Sequence, residues 1–178
     1  MEWYTTWVRE NIILSSFIQF FILGTVGEIL GMVIARKQVS TNMFEWFFKA
    51  VVWGLLGILI KYAFKGYTGF INSLVEYNLL PAIVGPHTNI IVLRAFALSF
   101  VMNAQFGPLL MFLHRTTDNI IMGTKGYAGI DKSFWTLLWF WLPAHTFTFS
   151  LPAEYQIGVA ALLSVALGII MGYTKRKS

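Results

Sequence analysis

Between Ile12 and Ala35 the chain carries one charged residue, Glu28, in an otherwise uncharged and largely apolar run. At ~1.5 Å per residue a helix of that length reaches about 35 Å, against a hydrocarbon core of roughly 30 Å. Lipid offers no partner for a backbone N–H or C=O, so a crossing run of this kind has to be helical. Four further apolar segments follow, Phe44–Phe64, Ile90–Leu113, Ser133–Leu151 and Gln156–Tyr173, and no gap between them is long enough for an independent core. Hydrophobic residues make up 57% of the sequence and charged residues 12%, about half the charged fraction of roughly 25% usual in soluble domains. The expected fold is therefore all-α, a polytopic transmembrane helix bundle with about five membrane-embedded helices and a short interfacial helix, one integral membrane domain over residues 1–178.

The short helix is expected between Gly66 and Pro86, where Phe70, Ile71, Leu74, Val75 and Leu79 recur at helical spacing before the Gly85-Pro86 turn. It would lie in the interface or re-enter the membrane. The fourth segment contains Pro143, His145 and the hydroxyls Thr146, Thr148 and Ser150, and a kink is expected at Pro143. The opening stretch Met1 to Trp7 reads as an interfacial aromatic anchor; it has no basic n-region, and no cleaved signal peptide is expected. Basic residues set the orientation. With the N-terminus outside, Arg36, Lys37, Lys49, Arg115, Lys125, Lys132, Lys175, Arg176 and Lys177 fall inside, and only Arg9 and Lys65 outside. This fits five crossings, N-terminus out and C-terminus in, of a membrane the sequence does not name. A four-crossing arrangement, with the fourth segment re-entrant, ranks second.

A carboxylate within the membrane is costly and is usually kept for passage, proton transfer or a buried partner, which makes Glu28 the first candidate site residue. Depth along the helices matches it with Lys49. Asn103 and Gln105, ahead of Gly107-Pro108, and His145 are the further candidates for a polar lining; Lys61 and Arg94 sit in the outer third, where snorkelling competes with lining a cavity. Small residues form two stripes, Gly27 with Gly31 on the first helix and Ala160, Ser164, Gly168 and Gly172 on the last. Such stripes let backbones approach closely, within one chain or in a homo-oligomer.

No catalytic or metal constellation stands out. Cysteine is absent, His87, His114 and His145 are scattered, and Gly123-Thr124-Lys125-Gly126 lacks the spacing of a phosphate-binding loop. The expectation is a non-enzyme without cofactor or metal. The net charge of +5 gathers beside helix ends, so its partner is expected to be the lipid bilayer and other membrane subunits, with no nucleic acid.

Several of these residues stand in a familiar order. Gly27-Glu28 matches a Gly-Asp in the first helix, Asn103 and Pro108 match a Gln placed five residues before a Pro, and Trp139, Trp141 and Pro143 precede Pro152-Ala153-Glu154-Tyr155, with Gly168 and Gly172 in the place of an Asn and a Ser. In this the chain resembles the 22-kilodalton peroxisomal membrane protein (Mpv-type) family, small multi-span proteins of peroxisomal and mitochondrial inner membranes. It departs from the pattern where Trp141-Leu142-Pro143 interrupts a contiguous Trp-Pro and where Glu28 replaces Asp. The resemblance implies passage of small solutes through a pore or gate. A channel or facilitator for small solutes or ions is thus the leading expectation, and a non-catalytic accessory subunit of a larger membrane complex the competing one.

Overall fold

The computed structural model describes residues 2–127 and 129–177, the last three of these by backbone only, so Met1 and the side chains of Lys175, Arg176 and Lys177 invoked above lie outside the described residues. The elements are α1 (Glu2–Glu10), α2 (Ile12–Ile34), α3 (Met43–Glu76), a 3-10 turn (Ala82–Val84), α4 (Ile91–Met122), α5 (Ile130–Thr136), a π turn (Leu137–Trp141), α6 (Leu142–Phe149) and α7 (Ala153–Lys177). Four helices are long and apolar enough to cross a membrane: Ile12–Ile34, Met43–Glu76, Ile91–Met122 and Ala153–Thr174.

Polarity is distributed as an apolar solvent requires. Ser15, Ser16, Ser99 and Thr148 are fully buried, while Ile22, Leu55, Phe96, Phe100, Leu109 and Leu162 face outward. The hydroxyls that go inside are satisfied locally, Ser16 Oγ by Ile12 O at 2.7 Å and Thr148 Oγ1 by Ala144 O at 2.9 Å. Water would favour the reverse sorting; lipid does not penalise exposed Leu and Phe.

The expected short helix after Gly66 does not form as a separate element. Phe70, Ile71, Leu74 and Val75 continue α3 without a break to Glu76, and only the 3-10 turn follows. Gly66 and Gly69 cost propensity but cannot end a helix whose Ile71 is fully buried against the core. At the other end of α3, the Asn42 side chain accepts the Phe44 N–H at 3.0 Å and caps the first turn. Helix α4 runs past Leu113 to Met122 and stops at Gly123, whose φ of 62° is the left-handed conformation glycine adopts without strain.

Around the bundle axis α2 packs between α3 and α7, α3 against α4, α4 against α6, and α6 closes on α7. Helices α2 and α7 run parallel. Arg9 Nε meets Glu154 Oε1 at 3.1 Å and Tyr4 stacks on Tyr155 at 5.8 Å, so α7 begins beside the start of α2. Partial burial, and then the Tyr155 phenol, push Tyr4 above its ordinary pKa, and its hydroxyl donates to Gln19 Oε1 at 2.9 Å. Since α4 ends at the opposite end of the bundle, residues 130–149 must carry the chain back along it. Those three helical pieces, of 7, 5 and 8 residues, follow one another without interruption and reach about 30 Å. The irregularity expected at Pro143 is a π turn just ahead of it, closed by Leu142 N–H to Leu137 O. The Leu142 carbonyl then accepts both Thr146 Oγ1 and Ser99 Oγ at 2.7 Å.

The two small-residue stripes pack on each other. A Cβ on Gly27 would stand 2.9 Å from Val165 Cα, one on Gly31 2.9 Å from Gly168 O, and one on Gly172 2.8 Å from Gly31 O; at Gly168 it would overlap the Gly27 carbonyl. The obstacles are backbone atoms, which no rotamer change can move aside. Gly168→Ala should therefore lower the melting temperature in detergent by several degrees, a cost of ~1–3 kcal/mol for overpacking. Gly66→Ala, with open space around its Cβ, should leave the melt unchanged or raise it, because alanine is the better helix former. Equal effects at the two positions would refute a close-packed seam.

Candidate functional site

A cavity of about 330 Å³ lies inside the ring of helices, and α2, α3, α4, α5, the π turn, α6 and α7 all contribute to its wall. Most of that wall is apolar, with Phe20, Leu56, Phe106 and Leu110 among the residues facing it. Besides the hydroxyls of Ser133, Thr136 and Ser164, polar groups gather in two places. One holds Glu28, His114, Arg115 and Asp118, toward the end of the bundle where α2 finishes; the other holds Asn103 and His145.

Glu28 is anchored from α3 on both carboxylate oxygens. Lys49 Nζ donates to Oε1 at 2.6 Å and Trp53 Nε1 donates to Oε2 at 2.9 Å. Lys49 is 4% exposed and the Glu28 side chain 16%, so neither charge is paid back by water. Removing such ions from water costs several kcal/mol each, which is why the pair needs its short contact and the added indole bond. Lys49 stands behind Glu28 and does not itself border the cavity. Residues 49 and 53 are one helical turn apart, which is how a single helix presents both donors to one carboxylate. The approach is close because Gly24 leaves room for the Trp53 ring, where a Cβ would fall 2.6 Å from it.

His114 packs beside this group, its ring 4.4 Å from that of Trp53. Its Nε2 is 3.9 Å from Asp118 Oδ2, one turn further along α4, and its Nδ1 is buried with no hydrogen-bond partner. One donor atom each from Glu28, His114 and Asp118 lie within 4.8 Å of one another, the one grouping among the described residues able to converge on a metal ion.

Asn103 and His145 form the second polar place. Asn103 Nδ2 donates to Ser99 O at 2.8 Å and to Ser99 Oγ at 3.1 Å, and its Oδ1 is 3.3 Å from His145 Nδ1. The imidazole is stacked on Trp141 at 4.9 Å and meets Phe64 edge-on at 5.6 Å. Gln105 does not belong to the lining. It lies on the outer side of α4, exposed, with Tyr67 hydroxyl 3.5 Å from its Oε1, because residues two apart on a helix point in widely different directions and Asn103 takes the inner one. Arg94 is neither a snorkelling cation nor a wall of the cavity: it donates to Val84 O at 2.9 Å and Asn72 Oδ1 at 2.8 Å, tying the turn after α3 to α4. Lys61 is half-buried and does not border the cavity. Of the stripe residues, Gly27, Ala160, Ser164 and Gly168 also border it, whereas Gly31 and Gly172 serve the seam alone.

Trp53, His114 and Asp118 were not singled out from the sequence. Asp118 lies beyond the apolar segment that ends at Leu113, but the i,i+4 spacing of His114 and Asp118, and of Lys49 and Trp53, was there to be read. Compared with models of known protein families, with curated proteins and with solved structures, the chain has no match.

A double-mutant cycle tests the pair. Glu28→Gln and Lys49→Met should each destabilise the protein, by ~3–5 kcal/mol for a stranded buried charge, and the double variant should lose much less than the sum. Additive losses in the melt would mean that the two side chains do not depend on each other.

Proposed function

We propose that the protein is a channel or facilitator for small solutes, with the cavity inside the ring as its passage and the Glu28 cluster as the constriction at one end. The single observation behind this reading is a cavity walled by every long helix of the bundle, with charged side chains gathered at one end and a mostly apolar wall interrupted by a few polar groups elsewhere. Cavities of ~300 Å³ and more are of the size that holds small ligands, and a largely apolar wall with few fixed polar groups lets a solute enter without holding it strongly. The competing reading, an accessory subunit, would use the small-residue stripes as docking faces. Those stripes face each other within the chain, so that argument for it is gone. The reading agrees with what the family resemblance implies, and Gly27, Glu28 and Asn103, three residues that carry the resemblance, border the cavity.

The same proposal includes five crossings, N-terminus out and C-terminus in. It is supported by the parallel course of α2 and α7 and by the return of residues 130–149 along the bundle. The aromatic α1 would lie in the outer interface, and Arg36, Lys37, Lys125 and Lys132 would lie inside. Labelling tests it in the cysteine-free background: Lys125→Cys should react with a membrane-impermeant maleimide from the face opposite to Ala153→Cys, and reaction of both from one face would exclude the fifth crossing.

Passage is tested by flux. Reconstituted protein should pass small neutral solutes with a sharp size limit, and Leu110→Trp, which fills the cavity from its apolar wall, should lower that flux several-fold with little change in the melt. Flux equal to that of protein-free liposomes, from protein that is folded and inserted, would overturn the reading.

A further inference from the structure

His114 and Asp118 project from the same face of α4, and Glu28 reaches them from α2, with one donor atom of each inside a 4.8 Å span. Glu28 already has its orientation fixed by Lys49 and Trp53. The other two face each other without a hydrogen bond between them. His114 Nδ1 is buried and unpartnered, the Nε2 contact to Asp118 at 3.9 Å is too long for a hydrogen bond, and no other protein group among the described residues is hydrogen-bonded to the Asp118 carboxylate. The gap between Nε2 and the Asp118 carboxylate leaves room for a shared partner, while the buried Nδ1 lies on the other side of the ring. The separation is itself informative, because two donors bonded at ~2.0–2.2 Å to one ion stand roughly 3–4 Å apart.

We propose that Glu28, His114 and Asp118 bind one divalent first-row transition-metal ion. Ligand chemistry sets the class. Two carboxylates with one imidazole suit Mn²⁺, Fe²⁺, Co²⁺ or Zn²⁺; an all-oxygen set would suit Ca²⁺ or Mg²⁺, and the chain has no thiolate to select Cu⁺. The i,i+4 spacing on α4 places two ligands on one helical face, and the third comes from a different helix, so the ion would join α2 to α4 across the cavity. Three protein donors leave coordination positions open toward the cavity. Lys49 and Trp53 act one layer out by fixing the carboxylate that ligates. Each carboxylate oxygen has two lone pairs, so Oε1 and Oε2 can keep their Lys49 and Trp53 bonds while one of them meets the ion. The ammonium nevertheless repels a cation at this distance, and its presence limits the affinity.

The site is independent of the transport reading, because binding is measured on solubilised protein without any flux. Tag-free protein, stripped with chelator, would be titrated with Co²⁺ and with Zn²⁺ by calorimetry, with the cobalt absorption spectrum and the thermal melt followed in parallel. One equivalent should bind and raise the melting temperature. His114→Phe, which keeps a ring against Trp53, and Asp118→Asn should each weaken binding at least tenfold. Lys49→Met should tighten binding if that variant folds, and should be rescued by the ion if it folds poorly. A folded wild-type protein that binds neither ion, or His114→Phe and Asp118→Asn variants that bind as tightly as wild type, would overturn the site.

Discussion

The contact on which the rest of the bundle depends is between two backbones. Helices α2 and α7 touch along Gly27, Gly31, Gly168 and Gly172, where the nearest neighbour of each missing side chain is a main-chain atom or lies on the facing helix. In lipid no hydrophobic effect draws helices together, so association relies on the dispersion energy and weak polar contacts that such closeness permits. The parallel course of these two helices fixes the topology in turn. Once α7 begins beside α2, the chain has to return along the bundle between α4 and α7, and the ring with its central cavity follows.

A second constraint rests on the first. Glu28 directly follows Gly27 and so sits at the seam, where it faces α3 and the cavity at once. Its carboxylate is bonded by the ammonium and the indole of α3, one helical turn apart. The space left by Gly24 for the Trp53 ring shows how glycines govern the polar chemistry as well as the packing. The ring of His114 beside that indole then brings α4 into the same group. Packing of small residues and convergence of charged ones are thus two results of the same short distances between helices.

Much of the fold could be read from apolar run length, because a helix is the only local solution for a long apolar segment in lipid. The pairing of Glu28 with Lys49 was legible from depth alone. Helix ends were less so: nothing local marks that α3 continues through Gly66 and Gly69, since what carries it on is burial of Ile71 by distant parts of the chain. The inward direction of Asn103 and the outward direction of Gln105 likewise depend on which face of α4 meets α6, a tertiary fact. Asp118 lies beyond the apolar segment that ends at Leu113, and only the extension of α4 to Met122 brings it onto the same helical face as His114.

The π turn at Leu137–Trp141 has a consequence for register. A regular α-helix turns slightly too far every four residues to keep a straight inner row, and a wider turn takes up that excess. Leu137, Trp141 and His145, four apart and with the wide turn among them, all border the cavity. The turn therefore works as a phase adjuster between two half-helices, each free to follow its own neighbours. Because the five-residue span of a π turn sweeps nearly the same angle as the four-residue span of an α turn, taking out one residue there would leave a regular helix whose later residues keep their faces. The turn is thus a place where the chain can gain or lose a residue while His145 stays beside Asn103.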